Sequence, residues 1–144
     1  MPPANAGGSD KTLPWRLINM PIGIIGMSHV NVTVPAQQEA AAKNFYENVL
    51  GLPQIPKPQG SRQNMGAWYQ LAGVQLHLSI EDKAQNELSD AHVCYQVVDI
   101  ATARLEFGKA GVDVIPDTRP VAGQSRFFVR DPGGNLIEIT QKTG

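Results

Sequence analysis

A single cysteine, Cys94, stands in 144 residues. That excludes an intrachain disulfide framework and suits a reducing, cytoplasmic setting. Excess charge of either sign is missing too. Twelve basic side chains meet 13 acidic ones, for a net charge of −1. Such a chain has no electrostatic footprint for nucleic acid or for an acidic membrane surface. Long apolar runs are absent as well. The most apolar stretch, Ile18 to Met27, is broken by Pro21, Gly23 and Gly26. It is too short for a membrane span and lacks a small-residue cleavage site, so neither a span nor a signal peptide is read there. What remains is a chain long enough for one domain with a real core.

Histidine is also scarce, and its placement is informative. His29, His77 and His92 each lie in a run that alternates like a half-buried strand: His29–Val34, Val74–Ser79 and His92–Val97. A fourth such run, Leu136–Thr140, carries Glu138. Side chains in a strand point to alternate faces. Val30, Val32 and Val34 therefore oppose His29, Asn31 and Thr33. Leu76 and Leu78 oppose Gln75, His77 and Ser79. Val93, Tyr95 and Val97 oppose His92 and Cys94, and Ile137 and Ile139 oppose Glu138. Three imidazoles and a carboxylate thus fall on the less apolar faces of four strands. They form a candidate metal set, suited to Zn, Ni, Co, Mn or Fe rather than to Ca or Mg.

The organisation is one pattern written twice. The two opening histidines are 63 residues apart, and the two closing landmarks, His77 and Glu138, are 61 apart. Each opening strand leads into a helix, about Gln37–Leu50 and Ile100–Ala110. Asp99 is placed as an N-cap, and Gly51 and Gly111 as C-terminal stops. Three strands follow each helix. They are expected at 54–55, 67–71 and 74–80 in the first half, and at 112–115, 125–130 and 136–141 in the second. Asp131-Pro-Gly-Gly-Asn135 reads as a turn. The fold class is α+β: two tandem βαβββ modules, about 27–80 and 91–142, whose eight strands form a cup-shaped mixed sheet. A polar linker, Glu81 to Ala91, joins them. Residues 1–26 read as a tail, although Trp15 to Ile25 has the apolar content to dock as an extra edge.

These features resemble the vicinal oxygen chelate superfamily, the glyoxalase/bleomycin-resistance/extradiol-dioxygenase fold. The resemblance covers about Ser28 to Gln141. It is carried by the His29 strand, Phe45-Tyr-Glu-Asn-Val-Leu-Gly-Leu52, the His92 strand and Asp131-Pro-Gly-Gly-Asn-Leu-Ile-Glu138. It implies one divalent metal held by His29, His77, His92 and Glu138, with Glu138, or less typically His77, moving a proton. It also implies a small-molecule substrate that chelates the metal through neighbouring oxygens, and a homodimer. Members with glyoxalase I activity commonly carry a carboxylate where this chain has His77. Fosfomycin-modifying members and extradiol dioxygenases mainly use the equivalents of His29, His92 and Glu138. The leading expectation is a metal-dependent glyoxalase-like lyase or isomerase. The alternatives are an Fe(II) extradiol-type dioxygenase, or an antibiotic-resistance protein that transfers a thiol or binds the drug. Arg126, Phe128 and Arg62 are the candidate substrate-binding residues. Cys94 reads as a small lining residue rather than an activated thiol.

Overall fold

The computed structural model describes residues 21–142. Residues 1–20, most of the expected tail, lie outside it. Residues 21–28 run as exposed coil, with Ile22, Ile24, Ile25 and Met27 turned outward.

Both halves fold as β-α-β-β-β. The first comprises β1 (His29–Val34), α1 (Glu39–Asn44), β2 (Gln54–Ile55), β3 (Ala67–Leu71) and β4 (Val74–Ile80). A 3-10 turn, Ala36–Gln38, leads into α1, and a π-helical turn, Phe45–Val49, continues it. The second half comprises β5 (His92–Gln96), α2 (Ile100–Lys109), β6 (Ile115–Pro116), β7 (Gln124–Arg130) and β8 (Leu136–Lys142). The eight strands form two four-stranded mixed sheets, ordered β1-β4-β3-β2 and β5-β8-β7-β6. In each, the opening strand runs parallel to the closing one and forms the sheet's outer edge.

The expected strand phases hold. Val32, Val34, Tyr69, Leu76, Leu78, Phe127, Val129, Ile137 and Ile139 are buried in one core that spans both halves. Phe45 of the first half stacks on Phe107 of α2, with centroids 6.4 Å apart. Asp99 caps α2 as expected, accepting from the Ala101 amide. The strand expected at 112–115 shrinks to Ile115–Pro116. Its first residues are taken up in closing α2, where the Val112 amide reaches back to the Phe107 carbonyl at 2.9 Å.

Polar bonds fix how the halves sit together. Tyr46 Oη donates to buried Asp131 Oδ2 at 2.5 Å. Asn135 Nδ2 donates to the Thr33 carbonyl, and Asn86, in the linker, donates to the carbonyls of Thr33 and Gly133. Burial pushes the Asp131 carboxyl above its ordinary range, while donors from Tyr46, Asn135 and Gly133 pull it back. Tyr46→Phe leaves the Asp131 carboxylate one donor short in a buried place. It is expected to cost about 1–3 kcal/mol, read as a lower midpoint in urea unfolding with an unchanged slope. An unmoved midpoint would mean that this bond contributes nothing to the union of the halves.

Candidate functional site

The sheet registers place the candidate ligands in matching positions. In the first half His29 pairs with Gln75, and Asn31 with His77. In the second His92 pairs with Leu136, and Cys94 with Glu138. His77 and Glu138 are therefore equivalent: each lies opposite the residue two past the opening histidine. The match extends one strand further, since Trp68 faces His77 and Phe128 faces Glu138. It continues to the outermost strands, where Ile55 pairs with Trp68 and Ile115 with Phe128. The two-residue turn at Ala72 and Gly73 fixes Trp68 opposite His77. That pairing is implicit in the strand limits.

Within one chain the four ligand candidates come together as two pairs. Among the described residues, no three His, Cys, Asp or Glu side chains gather closely enough to hold a metal ion. Each pair joins an exposed histidine on an edge strand to a buried partner on the neighbouring strand. His29 and His92 are exposed; His77 and Glu138 are buried.

In the second pair, His92 Nε2 lies 3.1 Å from Glu138 Oε2. The other ring nitrogen, Nδ1, lies 2.9 Å from the Asp90 carbonyl, which can only accept, so Nδ1 carries the hydrogen. Nε2 then faces the carboxylate. At that separation Nε2 and the carboxylate share a cation, either a proton or a metal. Donors bound to one ion at ~2.1 Å each stand about 3 Å apart, so this pair fits a divalent metal. The other carboxylate oxygen, Oε1, is held by Arg126 Nη1 at 3.2 Å. Arg126 in turn binds Asp117 through Nε at 2.8 Å and the Arg119 carbonyl through Nη2 at 2.6 Å. Its guanidinium lies 5.7 Å from the centre of the Phe128 ring. Arg126 and Phe128 thus meet at the second pair. The hydrogen-bonded partners Asp90, Asp117 and Arg119 went unread because they lie in loops, outside the strand alternation.

In the first pair, the His29 ring stacks on His77, with centroids 4.1 Å apart. Trp68 stacks on His77 at 3.7 Å. Ser28 Oγ lies 3.1 Å from His29 Nδ1, and Nε2 has no hydrogen-bond partner among the described residues. His77 Nε2 lies 2.9 Å from Gln75 Oε1. Burial lowers the His77 pKa, and the neighbouring His29 and Lys57 add to the effect, so this ring stays neutral near pH 7. Trp68, His77, Asn31, Lys57 and Arg62 line a cavity of about 290 Å³. Arg62 therefore sits with the first pair, away from Arg126 and Phe128. Those two line a separate cavity of about 570 Å³ with His92, Glu138, Arg119 and Arg130. Cys94 faces Glu138, and burial followed by that carboxylate pushes its thiol up to about 11. It is a protonated thiol and a poor nucleophile.

Two modules with matching candidate-ligand positions define the class, and the comparisons agree. The family model for the Glyoxalase/Bleomycin resistance protein/Dioxygenase superfamily matches residues 26–139. The chain belongs to that superfamily. A Bacillus anthracis protein assigned to the glyoxalase family is 33% identical, with a TM-score of 0.74, over 83% of this chain and 97% of that one. A mutant of the fosfomycin resistance protein FosX from Listeria monocytogenes, in complex with Mn(II) and 1S,2S-dihydroxypropylphosphonic acid, is 19% identical. Its TM-score is 0.70, over 83% and 94% of the two chains. Lactoylglutathione lyase from Agrobacterium tumefaciens is 21% identical, with a TM-score of 0.61, over 81% and 92%. Among curated proteins, no sequence matches the chain. Among the described residues, no helix is long and apolar enough to cross a membrane.

Proposed function

We propose that this chain is a metal-dependent, glyoxalase-type enzyme of the cytoplasm. Its substrate is a small molecule that offers two neighbouring oxygens, and its site is completed across a homodimer. The observation that carries this reading is the His92–Glu138 pair, an imidazole and a carboxylate 3.1 Å apart on adjacent strands. One pair supplies too few donors for a divalent ion, which takes four to six. The first pair of the same chain does not gather with it, and bonds of Tyr46, Asn86 and Asn135 fix the two halves in that arrangement. A second copy avoids that constraint. The exposed histidines lie on β1 and β5, both open sheet edges, so the first pair of one chain and the second pair of another are free to meet.

A bound ion supplies Lewis-acid polarisation of substrate oxygens. The chain's own residues do the rest. Arg126 fixes Oε1 of Glu138, so the carboxylate presents Oε2 in one orientation. Oε2 would be a ligand of the ion and, when off it, is the carboxylate atom left to hold or move a proton beside a carbonyl. Phe128 and Trp68 wall the two halves of the site, and Arg62 and Lys57 supply positive charge on the first-pair side.

A second reading, fosfomycin-type resistance chemistry, draws support from three arginines around the second pair, Arg119, Arg126 and Arg130. They suit a phosphonate or carboxylate substrate.

Elemental analysis of protein purified without added metal is expected to find close to one divalent ion per chain. Stripping it is expected to lower the melting temperature. A ligand at ~1,000 times its Kd contributes roughly 4 kcal/mol. Protein that neither carries a metal nor gains thermal stability from added Ni²⁺, Zn²⁺, Mn²⁺ or Fe²⁺ would refute the metal-dependent reading.

A further inference from the structure

The large apolar side chains left exposed are not scattered over the surface. Ile22, Ile24, Ile25 and Met27, on the coil that leads into β1, are 60–83% exposed. Met65 lines the first cavity and Ile115 and Val121 line the second, each 39–43% exposed. These seven are most of the ten exposed large apolar residues among the described ones. A single exposed apolar residue is ordinary. A run of four, with three more bordering the site cavities, marks a surface that another molecule covers.

The chain's own core does not cover it. None of Ile22, Ile24, Ile25 and Met27 joins the core or the residues packed against it. Residues 21–27 make no backbone hydrogen bond among the described residues. Their root is fixed, however. The Ser28 carbonyl accepts from the Gln75 amide at 3.2 Å, so the ladder between β1 and β4 runs one residue past His29. Strand phase therefore reaches Met27, which takes the His29 face. Extended chain rises ~3.3 Å per residue, which puts Met27 about 7 Å from His29 and Ile22 no more than about 23 Å away. Where His29 goes, these side chains follow. In the shared site, the open edge of β1 is brought to the second half of another copy. The segment that precedes β1 is then carried onto that copy, where Ile115 and Val121 border the cavity around His92 and Glu138. Within one chain both surfaces stay exposed, so neither covers the other.

We propose that residues 22–27 are an arm that docks on a second copy of this chain, with Met27 closing the apolar side of that copy's larger cavity against Ile115 and Val121. The inference rests on the shared-site reading above and adds to it an apolar contact between the copies that needs no ion. The arm therefore holds the dimer in the absence of metal. It also makes Met27 a wall of the neighbour's site, beside Phe128 and across from the arginines. A substrate that chelates through two oxygens would then meet an apolar surface from the other subunit.

The test is analytical ultracentrifugation of the full-length protein in EDTA, against a variant carrying Ile22→Ser, Ile24→Ser and Ile25→Ser. All three side chains are exposed, so the fold of each copy is left intact. Wild type is expected to remain a dimer without metal, and the variant to dimerise at least about tenfold more weakly. Equal dissociation constants would overturn the inference and leave the shared site standing. Wild type that is monomeric both in EDTA and with Ni²⁺ would bring down the shared-site reading, and this inference with it. Wild type that dimerises only with Ni²⁺ would keep the shared site and overturn the arm. A second measurement does not depend on the triple variant folding. Met27→Cys and Val121→Cys are placed on separate chains, each with Cys94→Ser, and the mixture is treated with a short bismaleimide. A peptide joining positions 27 and 121 can arise only between copies. Mass spectrometry is expected to find it, and its absence from a mixture that dimerises would overturn the inference.

Discussion

Co-expressing His29→Ala with Glu138→Ala is expected to restore metal binding that neither variant shows alone. If each site takes His29 from one subunit and Glu138 from the other, each homodimer of a single variant lacks a ligand at both of its sites. In the mixed dimer the two defects fall on the same site, and the other site is intact. Random pairing makes half of the dimers mixed, so about one site in four regains its full set. The change is from no tight binding to stoichiometric binding at that fraction, and any activity found for the wild type should return in proportion. A site built within one chain predicts the opposite, because every chain in the mixture then carries a broken set. Titration of the co-expressed mixture with Ni²⁺ decides between them, and a mixture as empty as its parents would sink the shared site. The choice of variants limits collateral damage. His29 is exposed, and Arg126 keeps Asp117 as a partner when Glu138 is truncated.

How much of this site could be read from the chain depends on how local each signal is. Alternation around His29, His77, His92 and Glu138 records which sheet face each side chain takes, and the structure keeps those faces. The limits of β2, β3 and β4 were legible because Gly and Pro punctuate them and apolar residues alternate between. Alternation does not record how two sheets are placed against each other. The separation of the ligands into two pairs was therefore hidden. It follows from contacts between residues far apart in sequence, such as Tyr46 with Asp131 and Thr33 with Asn135. The stack of Trp68, His77 and His29 lies between these extremes. Its register was derivable from the turn at Ala72 and Gly73. The side-chain rotamers that set the rings parallel were not, because they answer to the packing of three strands at once. The π-helical turn at Phe45–Val49 left no sequence signal, since the four-residue spacing of Ala41, Phe45 and Val49 reads as ordinary helix.

Gly66→Ala is expected to be the most damaging single-methyl change in the first half. Gly66 precedes β3 with φ at 71°, a conformation that costs an L-residue roughly 1–2 kcal/mol. A Cβ there would also stand 2.0 Å from the Leu78 carbonyl oxygen and 3.0 Å from its carbon. These are backbone atoms of β4, so no rotamer change relieves the clash. Either β3 moves off β4 or the residue abandons its conformation and breaks the bond from its amide to Glu39 Oε1. Overpacking of this kind adds about 1–3 kcal/mol to the conformational cost, for a total on the order of 2–5 kcal/mol. That is a large share of the stability of a domain this size. Gly51→Ala separates the two terms. Gly51 has the same φ of 71° but nothing within 4 Å of its Cβ position, so it pays the conformational cost alone. Urea unfolding of the two variants should place Gly66→Ala at least about 1 kcal/mol below Gly51→Ala. Equal losses would mean that β3 and β4 do not approach as closely as described. The same shift reaches the site, because β3 carries Trp68 and β4 carries His77 in register opposite it. Whatever Gly66→Ala protein still folds should therefore show altered tryptophan fluorescence in the native state, whereas Gly51→Ala should match wild type.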